Sequence, residues 1–529
     1  MAQRHLDRLS AIDASFLHQE GTNSHMHVGA LTIFEGPAPP YEAFADSLRA
    51  RLHLVPRYRQ RLAHPPLETG RPLWADDPNF NLEYHVRHTA LPAPGDEPQL
   101  LILAARIFSQ RLDRSKPLWE MWLIEGLTGD RFALITKTHH ALVDGIAGVD
   151  VAQVIFDVSR EPQAVESPDI AWEPAPEPSS AELVAAGVKG MVRASVGLAG
   201  KALTAAGRPA TAVEKAREAA EGVGEIVWAG LNPAPETPFN VEIGPHRRYT
   251  VVRGALSDYK EVKDAFGCTL NDVVLAVVAG SLGDFLRARG IRTEGLELRA
   301  LVPVSIRPQD QRNQLGNQLA AMRGPLPVYV KDPVTRLRLV KQAMDGLKES
   351  KQAVGAEVLA GVQNFAPPTI LAQASRLNFS TRLFNLIVTN VPGPQFPLYV
   401  LGRELEDVFP VAFLPENHAL AIAIMSYNGK LNFGLLADYD TLPDLELIAD
   451  GIERSLTALL RIARKDANKP ARPSRSTAAR AAQRKRRAAA REAAGDGAGG
   501  SRAGRSGSSS KRSSVSSAGR GQSGGNDAS

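Results

Sequence analysis

The chain has 529 residues, 43% of them apolar, so it is too long for one ordinary domain and apolar enough to bury real cores. Its single cysteine, Cys268, excludes an internal disulfide framework, and no apolar run reaches the roughly 20 residues of a membrane span. The formal net charge of +5 hides an asymmetry: residues 461–529 carry 17 Lys/Arg against 4 Asp/Glu, net +13, which leaves 45 against 53, net −8, for the rest. The start, MAQRHLDRLSAIDASF, has no signal-peptide character, so the expectation is a soluble, cytoplasmic body, at most peripheral to a membrane.

Residues 1–160 mix strand-like runs, MHVGALTIF (26–34) and FALITKTHH (132–140), with a helical one, PQLLILAARIFSQRL (98–112), as an α/β domain would. Residues 161–244 read as a linker: Pro-rich and acidic over 161–182, then helical in pattern until NPAPETPFN (232–240) closes it. Within it Val184, Val188, Val192 and Val196 recur every four residues, and Lys189, Arg193 and Lys201 keep that spacing one position round. Such a basic amphipathic helix suits a membrane surface or an apolar seam between domains, and the spacing leaves both open. Residues 245–465 again alternate strands (RRYTVVRGAL, LELRALVPVSI, LFNLIVTNV, HALAIAIMSYNGKLNFGLLAD) with helices. Among the latter, VVLAVVAGSL (273–282) predicts a buried helix. Residues 466–529 lack the large apolar side chains that offset chain ordering and read as a disordered basic tail, its charge concentrated in RAAQRKRRAAAR (480–491). That tail suits an anionic lipid surface; the same charges would meet nucleic acid only without sequence readout, and no nucleic-acid partner is expected.

The stretch KTHHALVDGIAG (137–148) carries the chemistry. A β-like run delivers His139 and His140 at its end, and the following DGIAGVDVAQVIFDVS has helical spacing at Ile146, Val149, Val151 and Ile155. Asp144 falls where that helix would begin and could cap it, and Gly145 permits the tight passage into it. Adjacent histidines at a strand end point to opposite faces, and no Cys or carboxylate cluster completes a tetrahedron, so no metal site is expected. One histidine facing a cavity fits a general base, because imidazole titrates near working pH. No nucleophile accompanies it: the one G-x-S-x-G match, GQSGG (521–525), lies in the tail, and Cys268 has no histidine near it in sequence. The economical chemistry is a histidine that takes a proton directly from a substrate hydroxyl.

HHALVDG (139–145), together with LSAIDASFLHQEG (9–21), MHVGALTIFEG, VPRYRQRL (55–62), DPNFNLEYHVRHTALPAPG (77–95), KPLWEMWLIEGL (116–127), TLNDVVLAVVAGSL (269–282), RALVPVSIRP (299–308) and TNVPGPQFPLY (389–399), resembles the bacterial wax ester synthase/diacylglycerol acyltransferase family of HHxxxDG CoA-dependent acyltransferases. The resemblance runs in order from residue 4 to 465. It implies an α/β fold of two chloramphenicol-acetyltransferase-like domains joined by a helical linker, with the site in a channel between them. It assigns His140 as the base and His139 and Asp144 as its orienting partners, with Arg307 a candidate to hold Asp144. It places Asn271 and Asp272 beside the site, Asn271 donating toward the thioester oxygen; since TLND precedes a helical run, a plain helix cap is the alternative. Pro117, Leu118 and Trp119 match the family's PLW element and are carried as substrate-binding, with core packing as the plainer role. The implied substrates are long-chain acyl-CoA, with no cofactor beyond it, and diacylglycerol or else a long-chain alcohol, met at the inner membrane or a lipid-droplet surface. The alternatives are an HHxxxDG enzyme acting on a polyketide or other secondary-metabolite alcohol, or an inactive lipid-surface protein.

Overall fold

The computed structural model of the chain describes residues 7–66, 70–143, 155–162, 172–183, 185, 233–305, 319–349 and 379–467. In the N-terminal half these form β1 (Asp7–Arg8), α1 (Ala11–Gln19), β2 (His27–Glu35), α2 (Tyr41–Arg51), β3 (Gln60–Ala63), β4 (Leu73–Asp76), α3 (Leu82–His85), β5 (Val86–Ala90), α4 (Glu97–Ser109), β6 (Trp119–Leu127), β7 (Arg131–His139) and α5 (His140–Val143). In the C-terminal half they form β8 (Arg247–Val252), α6 (Leu256–Phe266), α7 (Leu270–Ala288), β9 (Leu298–Ser305), β10 (Leu319–Leu326), α8 (Pro333–Glu349), β11 (Leu386–Pro392), β12 (Tyr399–Val400), β13 (Arg403–Val411), β14 (Leu420–Tyr427), β15 (Lys430–Asp438) and α9 (Glu446–Ala467).

Local chemistry sets several boundaries. Ser10 caps α1 by accepting from the Asp13 N–H at 3.0 Å, and Asp96 with Gln99 forms a reciprocal capping box at the start of α4. Asn428 and Gly429, at φ of 41° and 80°, turn β14 into β15 in two residues, as a tight hairpin of right-handed twist requires. The apolar run at 273–282 does become a buried helix: in α7 Val273 to Ala279 are all 0% exposed, and α6, α8 and α9 pack around it. Among the described residues no single helix is long and apolar enough to cross a membrane.

The sheets do not respect the two halves. One six-stranded sheet, in the order β10-β9-β11-β14-β15-β8, is built from the C-terminal half alone. The other runs β12-β13-β2-β7-β6-β5, so the segment at 399–411 leaves the C-terminal half and extends the N-terminal sheet, β13 pairing antiparallel with β2. A third, small sheet is β1-β4-β3. The boundaries expected at 160 and 245 therefore do not separate two self-contained sheets. The C-terminal sheet also holds β13: the Tyr249 hydroxyl of β8 bonds the Phe409 and Pro410 carbonyls at 3.2 and 3.3 Å, and Gly434 of the adjacent β15 leaves no space for a Cβ beside Pro410.

Part of the expected linker is docked. Arg59 lies over the Trp172 ring at 4.4 Å, the Ala175 N–H donates to Asp76 at 3.0 Å, and Arg61 pairs with Glu177. The segment starting at Trp172 thus lies on the small sheet and is no free tether. The valine-spaced helix beyond Leu183 and the basic tail lie outside the described residues.

Candidate active site

The two histidines sit at a corner where the chain leaves the sheet. β2 and β7 are in a register that puts His27 opposite His139, and three successive N–H groups at the corner are each satisfied by a different partner. That of His139 donates to the Leu118 carbonyl at 3.0 Å, that of His140 to the Met26 carbonyl at 2.7 Å, and that of Ala141 to Nδ1 of His139 at 3.1 Å. Helical geometry starts at His140, four residues before the position the sequence suggests, so the strand-end picture of two opposed histidines is corrected: His139 ends a strand and His140 opens a helical turn.

His140 is half-buried and walled by aromatic rings. Phe16 of α1 stacks on its imidazole with centroids 3.9 Å apart, and Phe413 meets it edge-on at 5.6 Å. Phe379 lies behind both, 6.3 Å from Phe16 and 5.8 Å from Phe413. Phe16 comes from the N-terminal half and the other two from the C-terminal half, so the histidine stands on the seam between them. Its Nδ1 is buried without a hydrogen-bond partner. Burial in this apolar wall, with His139 beside it, pushes its pKa down to about 4, so the imidazole is neutral at working pH.

His139 is fully buried and bonded differently. Because Nδ1 accepts from a backbone N–H, the ring proton sits on Nε2, which lies 3.6 Å from Oε2 of Glu20. Glu20, at the end of α1, has a carboxylate 1% exposed, with Arg111 Nε at 3.2 Å and Arg114 Nε at 2.6 Å. Burial alone would raise the pKa of Glu20; His139, at 3.6 Å an electrostatic contact longer than a hydrogen bond, and the two guanidiniums outweigh it and hold the carboxyl at about 2. Burial lowers His139, and burial with the charge on Lys137 lowers His27 well below the usual range. Glu20, His27, Arg111, Arg114, Phe16 and Phe413 were not singled out in sequence; Glu20 and Phe16 did lie within LSAIDASFLHQEG, whose family resemblance was the available signal.

The other expected site residues fall elsewhere. Pro117, Leu118 and Trp119 are buried, and Trp119 stacks on Tyr58 at 4.5 Å while its indole N–H donates to the Tyr58 carbonyl at 2.8 Å. These contacts fit the plainer core-packing role of the PLW element, with the Leu118 carbonyl as its link to the site. Asp272 completes a capping box with Thr269, whose N–H it accepts at 2.8 Å, as the plain cap reading has it; Asn271 is half-buried on the same first turn of α7. Asp144, Gly145 and Arg307 lie outside the described residues. Among the described residues no group of three or more His, Cys, Asp or Glu is placed to hold a metal ion.

Two sheet-rich α/β halves meeting at a seam are a fold of the condensation-domain and chloramphenicol-acetyltransferase type. The fold is similar to the first condensation domain of the calcium-dependent antibiotic synthetase (TM-score 0.55, 17% identity, covering 87% of this chain and 96% of that one). The wax ester synthase/diacylglycerol acyltransferase catalytic domain matches residues 9–274 and the WS/DGAT C-terminal domain residues 315–460, and the chain belongs to this family. It is 36% identical over 464 residues to a probable diacylglycerol O-acyltransferase of Mycobacterium tuberculosis, covering 87% of this chain and 97% of that one. It is also similar to the solved wax ester synthase/diacylglycerol acyltransferase of Marinobacter aquaeolei VT8, with a TM-score of 0.60 and 29% identity over 86% of this chain and 99% of that one.

Proposed function

We propose that this acyltransferase esterifies diacylglycerol with a long-chain acyl group from acyl-CoA, with long-chain alcohols as secondary acceptors, and that His140 is the general base. The observation that carries the reading is the neutral imidazole of His140 between Phe16 and Phe413 on the seam of the two halves. The acceptor hydroxyl gives its proton to His140 as its oxygen attacks the thioester carbonyl carbon. The tetrahedral intermediate then collapses with cleavage of the C–S bond, and the thiolate of CoA takes the proton back from the imidazolium. Aromatic walls suit an acyl chain and exclude water that would otherwise hydrolyse the thioester. Asn271 keeps its proposed place as a donor to the developing oxyanion, a contact worth about 3 kcal/mol where such donors are preorganised. The relatives' names support diacylglycerol over a secondary-metabolite alcohol as acceptor. Peripheral attachment to a membrane or lipid-droplet surface belongs to the same proposal, since the acceptor resides there.

Thiol release from palmitoyl-CoA should depend on added diolein and yield triacylglycerol. His140→Ala should abolish it without moving the thermal unfolding midpoint, while His139→Ala should retain measurable turnover. A folded wild-type chain that releases no thiol with diolein or hexadecanol would refute the reading.

A further inference from the structure

We infer that Glu20 is a positioning residue for acyl transfer: its carboxylate, just past the C-terminal end of α1, faces the Nε2–H of His139 at 3.6 Å, an electrostatic contact longer than a hydrogen bond, and thereby fixes the corner from which His140 acts. The inference rests on the role given to His140 above.

Phe16 lies in the last turns of α1 and Glu20 is its C-cap, four residues on, whose N–H bonds the Phe16 carbonyl at 3.2 Å. Phe16 stacks on His140 and Glu20 comes within 3.6 Å of His139, so one helix and its C-cap brace both histidines. The proton of His139 is on Nε2, since its Nδ1 is engaged by the Ala141 N–H. The groups around the carboxylate are Arg111, Arg114, His27 and His139. The arginines keep it charged. His27 has Nε2 3.9 Å from Oε1, but that nitrogen accepts from the Leu112 N–H at 3.5 Å, so His27 offers the carboxylate no proton there. His139 is therefore its histidine partner. If the ring of His139 turned away, the Ala141 N–H would lose its acceptor, and the corner at His140 would keep only the bonds to Leu118 and Met26. A carboxylate that orients a histidine, which in turn holds the backbone of the acting one, is the logic of an outer-shell partner.

The test compares full-length wild type, Glu20→Gln and Glu20→Ala. An amide oxygen can still face the Nε2–H, whereas alanine leaves that proton without a partner. Glu20→Ala should lower kcat about 10–100-fold with KM for palmitoyl-CoA within about twofold, and Glu20→Gln should return kcat to within about fivefold of wild type. In proton NMR the His139 Nε2–H signal, identified by its loss in His139→Asn, should be downfield and slow to exchange in wild type and Glu20→Gln and absent in Glu20→Ala. Unchanged kcat in Glu20→Ala, or equal losses in both variants with a raised KM, would overturn the inference. If the wild type transfers no acyl group, the reading of His140 fails, yet the NMR comparison still decides the contact: a persistent Nε2–H signal in Glu20→Ala overturns it. Should Glu20→Ala not fold, Glu20→Asp, which keeps the charge but withdraws it by one methylene, takes its place. It should then be slower than Glu20→Gln, and equal rates would overturn the inference.

Discussion

A histidine that ordinarily titrates near 6.5 would lose half its basic form at that pH, but His140 is pushed down to about 4 by burial first and by His139 second. The direction matters for catalysis. A depressed pKa keeps the imidazole neutral, hence able to accept a proton, throughout the range between the two values. With a short, soluble acceptor, kcat/KM should stay level as pH falls from 8 to about 5 and bend only near 4. Phe16→Ala, which admits water to the ring, should move the bend upward toward 6.5. A bend near 6.5 in the wild type, with activity restored on return to neutral pH, would show that the aromatic wall does not control this group.

At the scale of elements, the strand that delivers the histidines is locked by a buried ion pair two residues earlier on the same face. Lys137 of β7 lies directly opposite Glu120 of β6, its Nζ 2.9 Å from the carboxylate, and the same ammonium caps the end of α4 by donating to the carbonyls of Ile107 at 2.9 Å and Gln110 at 2.6 Å. Burial lowers the pKa of Lys137 and Glu120 raises it back in part, so the pair is best kept as a charged unit. Removing one partner strands the other, with Arg87 3.5 Å from Glu120 as partial relief. Lys137→Met should therefore cost about 3–5 kcal/mol in urea unfolding, and adding Glu120→Gln should recover much of it. A single-variant loss below about 1 kcal/mol would show that the pair does not tie α4 to the sheet. β13 acts at the same scale: by joining the N-terminal sheet it carries the chain to Phe413 beside His140, so the second half of the sequence furnishes a wall of the site.

At the scale of the molecule, contacts join residues Met1–Ala467 into one compact unit, which ends where the basic tail begins. Truncation after Ala467 should leave turnover of a short, soluble acceptor unchanged, because none of the proposed site groups lies beyond it. It should also weaken binding to anionic vesicles, and added salt should weaken binding of the full chain in the same way. Equal vesicle binding by both forms at low salt would refute the tether.

What the amino-acid order determined by itself is what depends on near neighbours. The strand-like runs became β2 and β7, the apolar run at 273–282 became part of the buried α7, Thr269 with Asp272 formed a cap, and Asn428-Gly429 made a hairpin turn, since each is decided within a few residues. The histidine pair was legible for the same reason, as a motif of adjacent positions. Glu20, Phe16, Arg111 and Arg114 reach that pair only through pairing of β2 with β7 and the packing of α1 and the end of α4 against it. No local pattern encodes which distant segment will meet which. The same holds for the PLW element, whose apolar side chains suit a substrate channel and a core alike until burial decides, and for β13, whose pattern suits either sheet. Burial, long-range pairing and the resulting electrostatics were decided only by the tertiary structure, because they are properties of segments brought together and of the water they exclude.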